Sequence, residues 1–579
     1  MRYGLLVIAF STVLVASGPK SSRAADGGTI FEQLTSRTRP ATETWGAGKP
    51  EAAGRVLRFP TDRGIGRVLV GQRPAEARWW NLSLGWSGKV LAQAQGDVTV
   101  PVGMRVRLEV NDSSRRVHHA LAALASDDIQ HVSFYHCRCV DDELCEILSH
   151  LTGLDAVMMG ESQITRKGVA YLASLPNLQC LAMLCSLTAH DLAPLVDAKR
   201  LEYLNIGGDK TRDATLAILP KLTQVTQLGL GGAAVGEGLQ HVGAMENLQW
   251  LNLEALRDPD IDLHLKHVSR LTNLRVLSLK NTLIGDGGLY HLRNLTTLEE
   301  LELFSNPNTG RVTGRGLQNL RNLKNLRRLY LPSGTWTDAE IAFMADFDKL
   351  ENVNLWSDGL TDGALETASQ MAALEVLELR SKKITDAGME HLVKCPRLRD
   401  VTLSVPIHRD GLRHLAGCSS LRRLSIWRTE VVGEDLAELA RYPALEELSL
   451  CRIRLGQTGA AHVGKLSKVH TLRMYLLQSS LTDDDLAQIS RMTSLETLQT
   501  SGRKGENAIT NPGVIHLAGL PRIKNLYISG CEHVTDEGLL AFAGHPTIRC
   551  LRFAGASCHH TTIQSLRRSN PDLEVMIVP

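Results

Sequence analysis

Between Ile129 and Val578 the chain repeats one short phrase nineteen times, apolar-x-x-apolar-x-apolar. It is plain in Leu248-Gln-Trp-Leu-Asn-Leu253, Leu274-Arg-Val-Leu-Ser-Leu279, Leu298-Glu-Glu-Leu-Glu-Leu303, Leu374-Glu-Val-Leu-Glu-Leu379 and Leu445-Glu-Glu-Leu-Ser-Leu450. The first and last copies begin at Ile129 and Leu573, a mean period of about 24.7 residues. A fixed period in this range predicts a solenoid, in which each unit packs only on its neighbours. Side chains alternate along a strand, so positions one, four and six of the phrase face the core, and positions three, five and seven face away from it.

The second half of each unit recurs too, as in Ile384-Thr-Asp-Ala-Gly-Met-Glu-His-Leu392, Leu360-Thr-Asp-Gly-Ala-Leu365, Leu481-Thr-Asp-Asp-Asp-Leu486 and Val534-Thr-Asp-Glu-Gly-Leu539. Thr-Asp is a helix N-cap signal, and the apolar residues that follow form one inward stripe of a short helix. Each unit therefore reads as strand, turn and short helix, with parallel strands on the concave side and helices on the convex side.

Ahead of the repeats, four β-prone runs, Val56 to Phe59, Val68 to Val70, Val98 to Val100 and Val106 to Val110, are broken by Gly, Pro and Asp. They predict a small antiparallel β domain over 51–112. A basic connector around Arg115 to His119 leads into a solenoid assigned to 113–579 with about 18–19 repeats. Residues 26–50 read as a flexible leader rich in Gly, Pro and Thr. Arg2, the apolar stretch Leu5 to Ala16 and the small residues after it read as an export signal over 1–25, which places the protein in a periplasmic or extracellular space. That stretch is too short to span about 30 Å of hydrocarbon as a helix, although it would act as an N-terminal anchor if left uncleaved.

These motifs resemble the leucine-rich repeat superfamily, in particular its cysteine-containing subclass, whose pattern joins V-T-D-x-G-L-x-x-L to C-x-x-L-x-x-L-x-L. Leu392-Val-Lys-Cys-Pro-Arg-Leu398 and Leu415-Ala-Gly-Cys-Ser-Ser-Leu421 match that junction directly. The export signal, Gly96-Asp-Val-Thr-Val-Pro101 and the ending Leu566 to Val575 resemble exported repeat proteins of planctomycete-type bacteria. The likeness implies an α/β horseshoe that binds partners and carries no cofactor. The chain departs from the pattern at the ninth position, where Asn occurs only at Asn306 and other repeats hold Cys137, Ser162, Asp209 or Thr282. Asn306 to Arg315 and Ser501 to Asn511 are the expected loop protrusions.

Charge is balanced, 64 basic residues against 62 acidic, which gives no general attraction to nucleic acid. The 11 cysteines are odd in number and mostly fall at inward repeat positions, so they read as packing residues. No catalytic constellation is legible. Gly64-Ile-Gly66 lacks the full phosphate-cradling pattern. His136-Cys-Arg-Cys139 with Cys145 lacks a second ligand pair at metal-binding spacing. His559-His560 near Cys558 reads as a solvated turn. No cofactor and no metal is expected.

Function is therefore sought on the outward strand positions, roughly a tenth of the chain, which hold about a third of its aromatic rings. The residues expected to contact a partner are Tyr203, Trp250, Phe304, Tyr330, Trp356, Arg380, Trp427, Tyr475 and Tyr527, with Tyr135 at the start of the same set. They are interleaved with Glu300, Glu302, Arg328, Glu378, Arg423, Glu447 and Arg473. Aromatic anchors among mixed charges suit a protein interface, and part of the enrichment reflects the preference of aromatics for strands. The leading expectation is an exported, non-enzymatic scaffold for a protein or a cell-envelope polymer. An adaptor like the F-box repeat proteins needs a helical stretch where the β-prone runs lie. Trp79, Trp80 and Trp86 suit either a sugar-stacking surface or the core of a small domain, and the burial needs of a small domain favour the core.

Overall fold

The computed structural model describes residues 54–71, 89–135, 137–208, 211–304, 311–476, 481–501, 508–571 and 573–578. The leader, the signal segment, the three tryptophans at 79, 80 and 86, His136, Asp209 and Asn306 lie outside the described residues. Nineteen strands, from His131–Phe134 to Glu574–Val578, pair in parallel in chain order and alternate with short helices. The phrase register is the observed one: Leu248, Leu251 and Leu253 have no exposure, and so do Leu298, Leu301 and Leu303. Strands are three residues long from Tyr203–Asn205 to Arg328–Tyr330 and five from Asn352–Trp356 onward. One hydrophobic cluster runs from Leu57 to Val575. This is the α/β solenoid that the repeat period predicts.

The Thr-Asp pair does more than cap its own helix. Thr165, Thr361 and Thr482 sit at N-cap positions with extended backbone and accept from amides of the first turn. An Asp at the first helical position, such as Asp142 or Asp362, reaches into the next repeat. Asp142 accepts from the Thr165 amide at 2.8 Å and its hydroxyl at 2.6 Å, and Asp362 does the same for Thr385 at 2.8 and 2.7 Å. Two acceptor oxygens thus satisfy two donors of the neighbouring unit, and the motif links repeats as well as starting helices. The approach explains the glycine three residues after Thr165, Thr313, Thr385 and Thr510. A methyl group on Gly388 would lie 2.6 Å from the carboxyl carbon of Asp362. His559 takes the Thr position in the last such link, with its amide 2.9 Å and its Nδ1 2.5 Å from Asp536, whose carboxyl is thereby held down at about 2. His559 is therefore a ladder member rather than a free turn residue.

A second ladder lies on the side where chains enter the strands. In many repeats the residue before the phrase donates to a carbonyl of the preceding unit: Asn177 to Thr152 at 2.9 Å, Asn273 to Glu246 at 3.0 Å, Asn325 to Thr296 at 2.8 Å and Ser494 to Val469 at 2.8 Å. At the ninth position, where the chain departs from the family pattern, small groups make scattered bonds, such as the Thr282 hydroxyl to the Leu279 carbonyl at 2.7 Å. Cys395 and Cys418 are buried, and burial pushes their thiols up to about 11 and about 12. All 11 cysteines are free thiols, nine of them buried.

Several convex segments expected as helices are tighter 3-10 turns, among them Ala387–Lys394 and Gly433–Arg441. So short a segment gains little from α-helical continuation, and the tighter winding spans the unit with fewer residues.

The N-terminal β segment has five strands, one more than the sequence suggests. Arg55–Arg58 pairs antiparallel with Asp97–Val100, and Gly66–Gly71 pairs antiparallel with both Lys89–Gln93 and Arg105–Val110. Lys89–Gln93 was hidden because its run of Val90 and Leu91 is short. Arg105–Val110 then pairs in parallel with His131–Phe134, so one sheet runs from this segment into the repeats. The supposed connector is a helix, Arg116–Ala122, with Val117, His118, Ala120 and Leu121 buried against the first repeat. No helix among the described residues is long and apolar enough to cross a membrane.

Replacing Asp362 with Ala should cost about 1–2 kcal/mol by stranding the two Thr385 donors, and Gly388→Ala should cost at least as much. Denaturant unfolding of the double variant should show a cost clearly below the sum, because Ala at 362 vacates the space the new methyl needs. Additive costs would refute the interlock.

Candidate functional site

The outward residues of the strands form three rows, set by their position in the phrase. Parallel register places Trp250 beside Gln227 and Val276, Tyr330 beside Glu302 and Asn354, and Trp356 beside Arg380. The nine expected contact residues therefore do not share one line. Tyr203 and Trp250 belong to the first row, Tyr330 and Tyr527 to the second, and Phe304, Trp356, Arg380, Trp427 and Tyr475 to the third, at the strand ends.

The first row opens on an apolar patch separate from the main core, in which Ala156, Cys180, Ala182, Tyr203, Trp250 and Val276 bury one another. Tyr203 and Trp250 are each only 5% exposed, and their rings meet across the intervening strand at 5.7 Å. The expectation that these two rings protrude fails here. Concave curvature brings side chains of alternate strands together, and the two rings close over one another within this patch.

Further along, the first two rows become ionic. Arg328 pairs with Glu300, the Arg423 guanidinium places two nitrogens 2.7 and 2.8 Å from Asp400, and Arg473 lies 3.1 Å from Glu447. Lys280 sits between Glu302 at 3.4 Å and Glu254 at 3.9 Å. Tyr330 is half-buried, and its hydroxyl accepts from Asn352 at 3.0 Å. Tyr527 is half-buried beneath Arg552, whose guanidinium is 5.6 Å from the ring. Glu378 differs from its neighbours. It is 6% exposed, and burial together with the nearby Asp400 pushes its carboxyl well above the usual range.

The third row carries the accessible rings. Phe304, Trp356, Trp427 and Tyr475 are partly exposed, Arg380 is exposed, and Phe304 meets Trp356 edge-on at 5.4 Å. Just beyond the strands, Arg428 and Arg452 adopt left-handed backbone conformations with φ of 51° and 57°. Such a conformation is uncommon for residues other than glycine. Burial lowers the affinity of Arg428 for its proton, and the positive charges of Arg452 and Arg380 add to that. Among the described residues no carboxylate pairs with Arg380, Arg428 or Arg452. Arg428, Arg452 and Asp400 escaped the sequence reading. Asp400 occupies the third phrase position and was legible by the same register, whereas nothing in the sequence marks the two left-handed arginines. Tyr135 is 48% exposed at the start of the array.

One group of metal-ligating side chains comes together among the described residues: His118, Asp141 and Glu143. Arg115 reaches both carboxylates, His118 Nε2 is 3.0 Å from Asp141, and Asp141 also accepts from the Leu144 amide at 2.9 Å. The group is a helix cap with an ion-pair network around it.

The family described as leucine-rich repeat region matches residues 188–461. That stretch of the chain is a leucine-rich repeat region. Solved leucine-rich repeat structures similar to it include an internalin from Listeria monocytogenes, 20% identical with a TM-score of 0.39, over 53% of this chain and 83% of that one. A leucine-rich repeat protein of Leptospira interrogans is 12% identical with a TM-score of 0.31, over 80% and 93%. TLR13 in its complex with ssRNA13 is 16% identical with a TM-score of 0.43, over 82% of this chain and 62% of that chain. The leucine-rich repeat fold is the one typical of protein-interaction scaffolds.

Replacing Glu378 with Gln tests the electrostatics of this face. A carboxyl whose folded value is raised contributes stability below its ordinary value of 4.5 and loses it as pH rises through the folded value. Glu378→Gln should therefore be more stable than the parent at pH 7, with the gap closing near pH 4 in urea titrations. Equal stability at both pH values would contradict the assignment.

Proposed function

We propose that this chain is an exported, non-enzymatic scaffold that binds a protein through its concave strands, with the rim formed by Trp356, Arg380, Trp427 and Tyr475 at the centre of the contact. The observation that carries this reading is the combination, on one rim, of partly exposed rings with three arginines that have no acidic partner among the described residues. Rings bury much area at low entropic cost, and unpaired guanidiniums attract carboxylates on a partner. Phe304, Tyr330 and Tyr527 extend the contact, while Tyr203 and Trp250 shape its apolar end. The strand spacing of about 4.8 Å gives the array ample length for an interface of about 800 Å² per partner.

Export rests on the sequence of the first 25 residues. The five strands within residues 54–110 weigh against an F-box-like adaptor, which needs helices in that space. A cell-envelope polymer is the competing occupant of the same face.

With the partner identified by proximity labelling in the native cell, the triple variant Trp356→Ala, Trp427→Ala, Tyr475→Ala should weaken its binding at least a hundredfold, about 3 kcal/mol, with little change in Tm. Undiminished binding by the folded variant would end this reading. Retention of an envelope polymer in place of any protein would redirect it.

A further inference from the structure

We propose that the cleft between Glu378, Asp400 and Arg423 is a receptor for a single primary ammonium group, the side-chain end of a lysine on the bound partner. The inference rests on the concave face being the binding surface and specifies what one part of it takes.

Glu378 lies in the middle of the strand Val376–Arg380, with Asn354 and Thr402 as its register neighbours. Neither neighbour is bonded to it. The Asn354 amide is committed to the preceding repeat, accepting from the Leu331 amide at 2.5 Å and donating to the Leu331 carbonyl at 2.8 Å. Asp400 is held by Arg423 at 2.7 and 2.8 Å, and Glu447 is held by Arg473 at 3.1 Å. Among the described residues neither a hydrogen bond nor an ion pair reaches the Glu378 carboxyl, although the residue is 6% exposed and lines the cleft. Three carboxyl groups and two guanidiniums therefore share the cleft, and the acid left over is the buried one. Buried polar groups in folded proteins are almost always partnered, so an orphan that faces a cleft marks a place where something else completes the bond.

The size of the cleft narrows the occupant. Its volume is about 30 Å³, lined also by Thr402 and Ser425. A water needs roughly 10–15 Å³ measured in this way, so the space suits an ammonium head with at most one water beside it. A quaternary ammonium is too large. An ammonium brings three donors, for which the Glu378 carboxylate and the Thr402 and Ser425 hydroxyls offer acceptors.

Entry of the cation is linked to a proton. Burial and the nearby Asp400 strengthen the hold of the Glu378 carboxyl on its proton. The charged groups around it are Asp400, Arg423, Glu447 and Arg473, and Tyr330 faces it from the strand Arg328–Tyr330. When R–NH3⁺ enters, Glu378 ionises to form the pair and its proton passes to solvent. The total charge is conserved, and binding strengthens as pH rises.

The test uses the full chain and methylammonium chloride as probe. Calorimetric titration at pH 7 and constant ionic strength, in two buffers of different ionisation enthalpy, should show saturable binding with release of about one proton per site. Tetramethylammonium should not bind, Glu378→Gln should abolish both binding and proton release while remaining folded, and Asp400→Asn should weaken binding at least tenfold. Absence of saturable binding, equal binding by Glu378→Gln, or equal binding of tetramethylammonium would overturn the proposal and leave the cleft a place for water only. Because the probe needs no protein partner, this result and that of the rim variant are read separately.

Discussion

A single repeat cannot bury its own leucines. Each unit has one strand and one short helix, too little material to enclose a core, so every phrase leucine is covered by side chains of the units before and after it. Everything else in this molecule follows from that dependence. The Asp of one Thr-Asp pair satisfies the next Thr, the glycine that follows makes room for it, and in many repeats an Asn, Thr or Ser before the strand bonds back to the previous turn. Two polar ladders thus hold neighbouring units in register on opposite sides of a continuous apolar core. At the N-terminal end the same logic recruits the β segment, whose strand Arg105–Val110 covers the first repeat strand.

With the core committed to one side of the sheet, the other side is released for chemistry. Its rows are not uniform. An apolar patch around Tyr203 and Trp250 gives way to paired charges at Arg328, Arg423 and Arg473, and a rim of rings and of arginines without an acidic partner among the described residues lies at the strand ends. Ion pairs between adjacent strands neutralise most of the charge that parallel stacking brings close together. The groups left out of that pairing, Glu378 in the cleft and Arg380, Arg428 and Arg452 on the rim, are where the surface has unspent electrostatic capacity.

Much of this was legible because period and alternation are properties of neighbouring residues. The core positions of Leu248, Leu251 and Leu253 follow from spacing alone, and the capping role of Thr165 or Thr361 follows from residue type. What escaped depends on contacts between repeats. Asp362 looks like a first-turn acid until the next unit is placed beside it, and Asn273 looks like a loop residue until the carbonyl of Glu246 is in view. Alternation places Trp250 and Trp427 on the same face, yet only the packing of Trp250 against Tyr203 two strands away decides that one is covered and the other accessible. Likewise Glu378 reads as one more surface charge, because nothing local reveals that Asn354 and Asp400 are already engaged.

The central claim is that the partner meets the concave strands and their rim, not the convex helices. Site-specific photo-crosslinking in the native cell tests it most directly, with the photoreactive residue placed one at a time at Arg380, Trp427 and Gln499 on the strand side and at His391 and Arg413 on the helix side. The account predicts crosslinks to one common partner from the strand-side positions and none from the helix-side ones. Crosslinking confined to the helix side would contradict it.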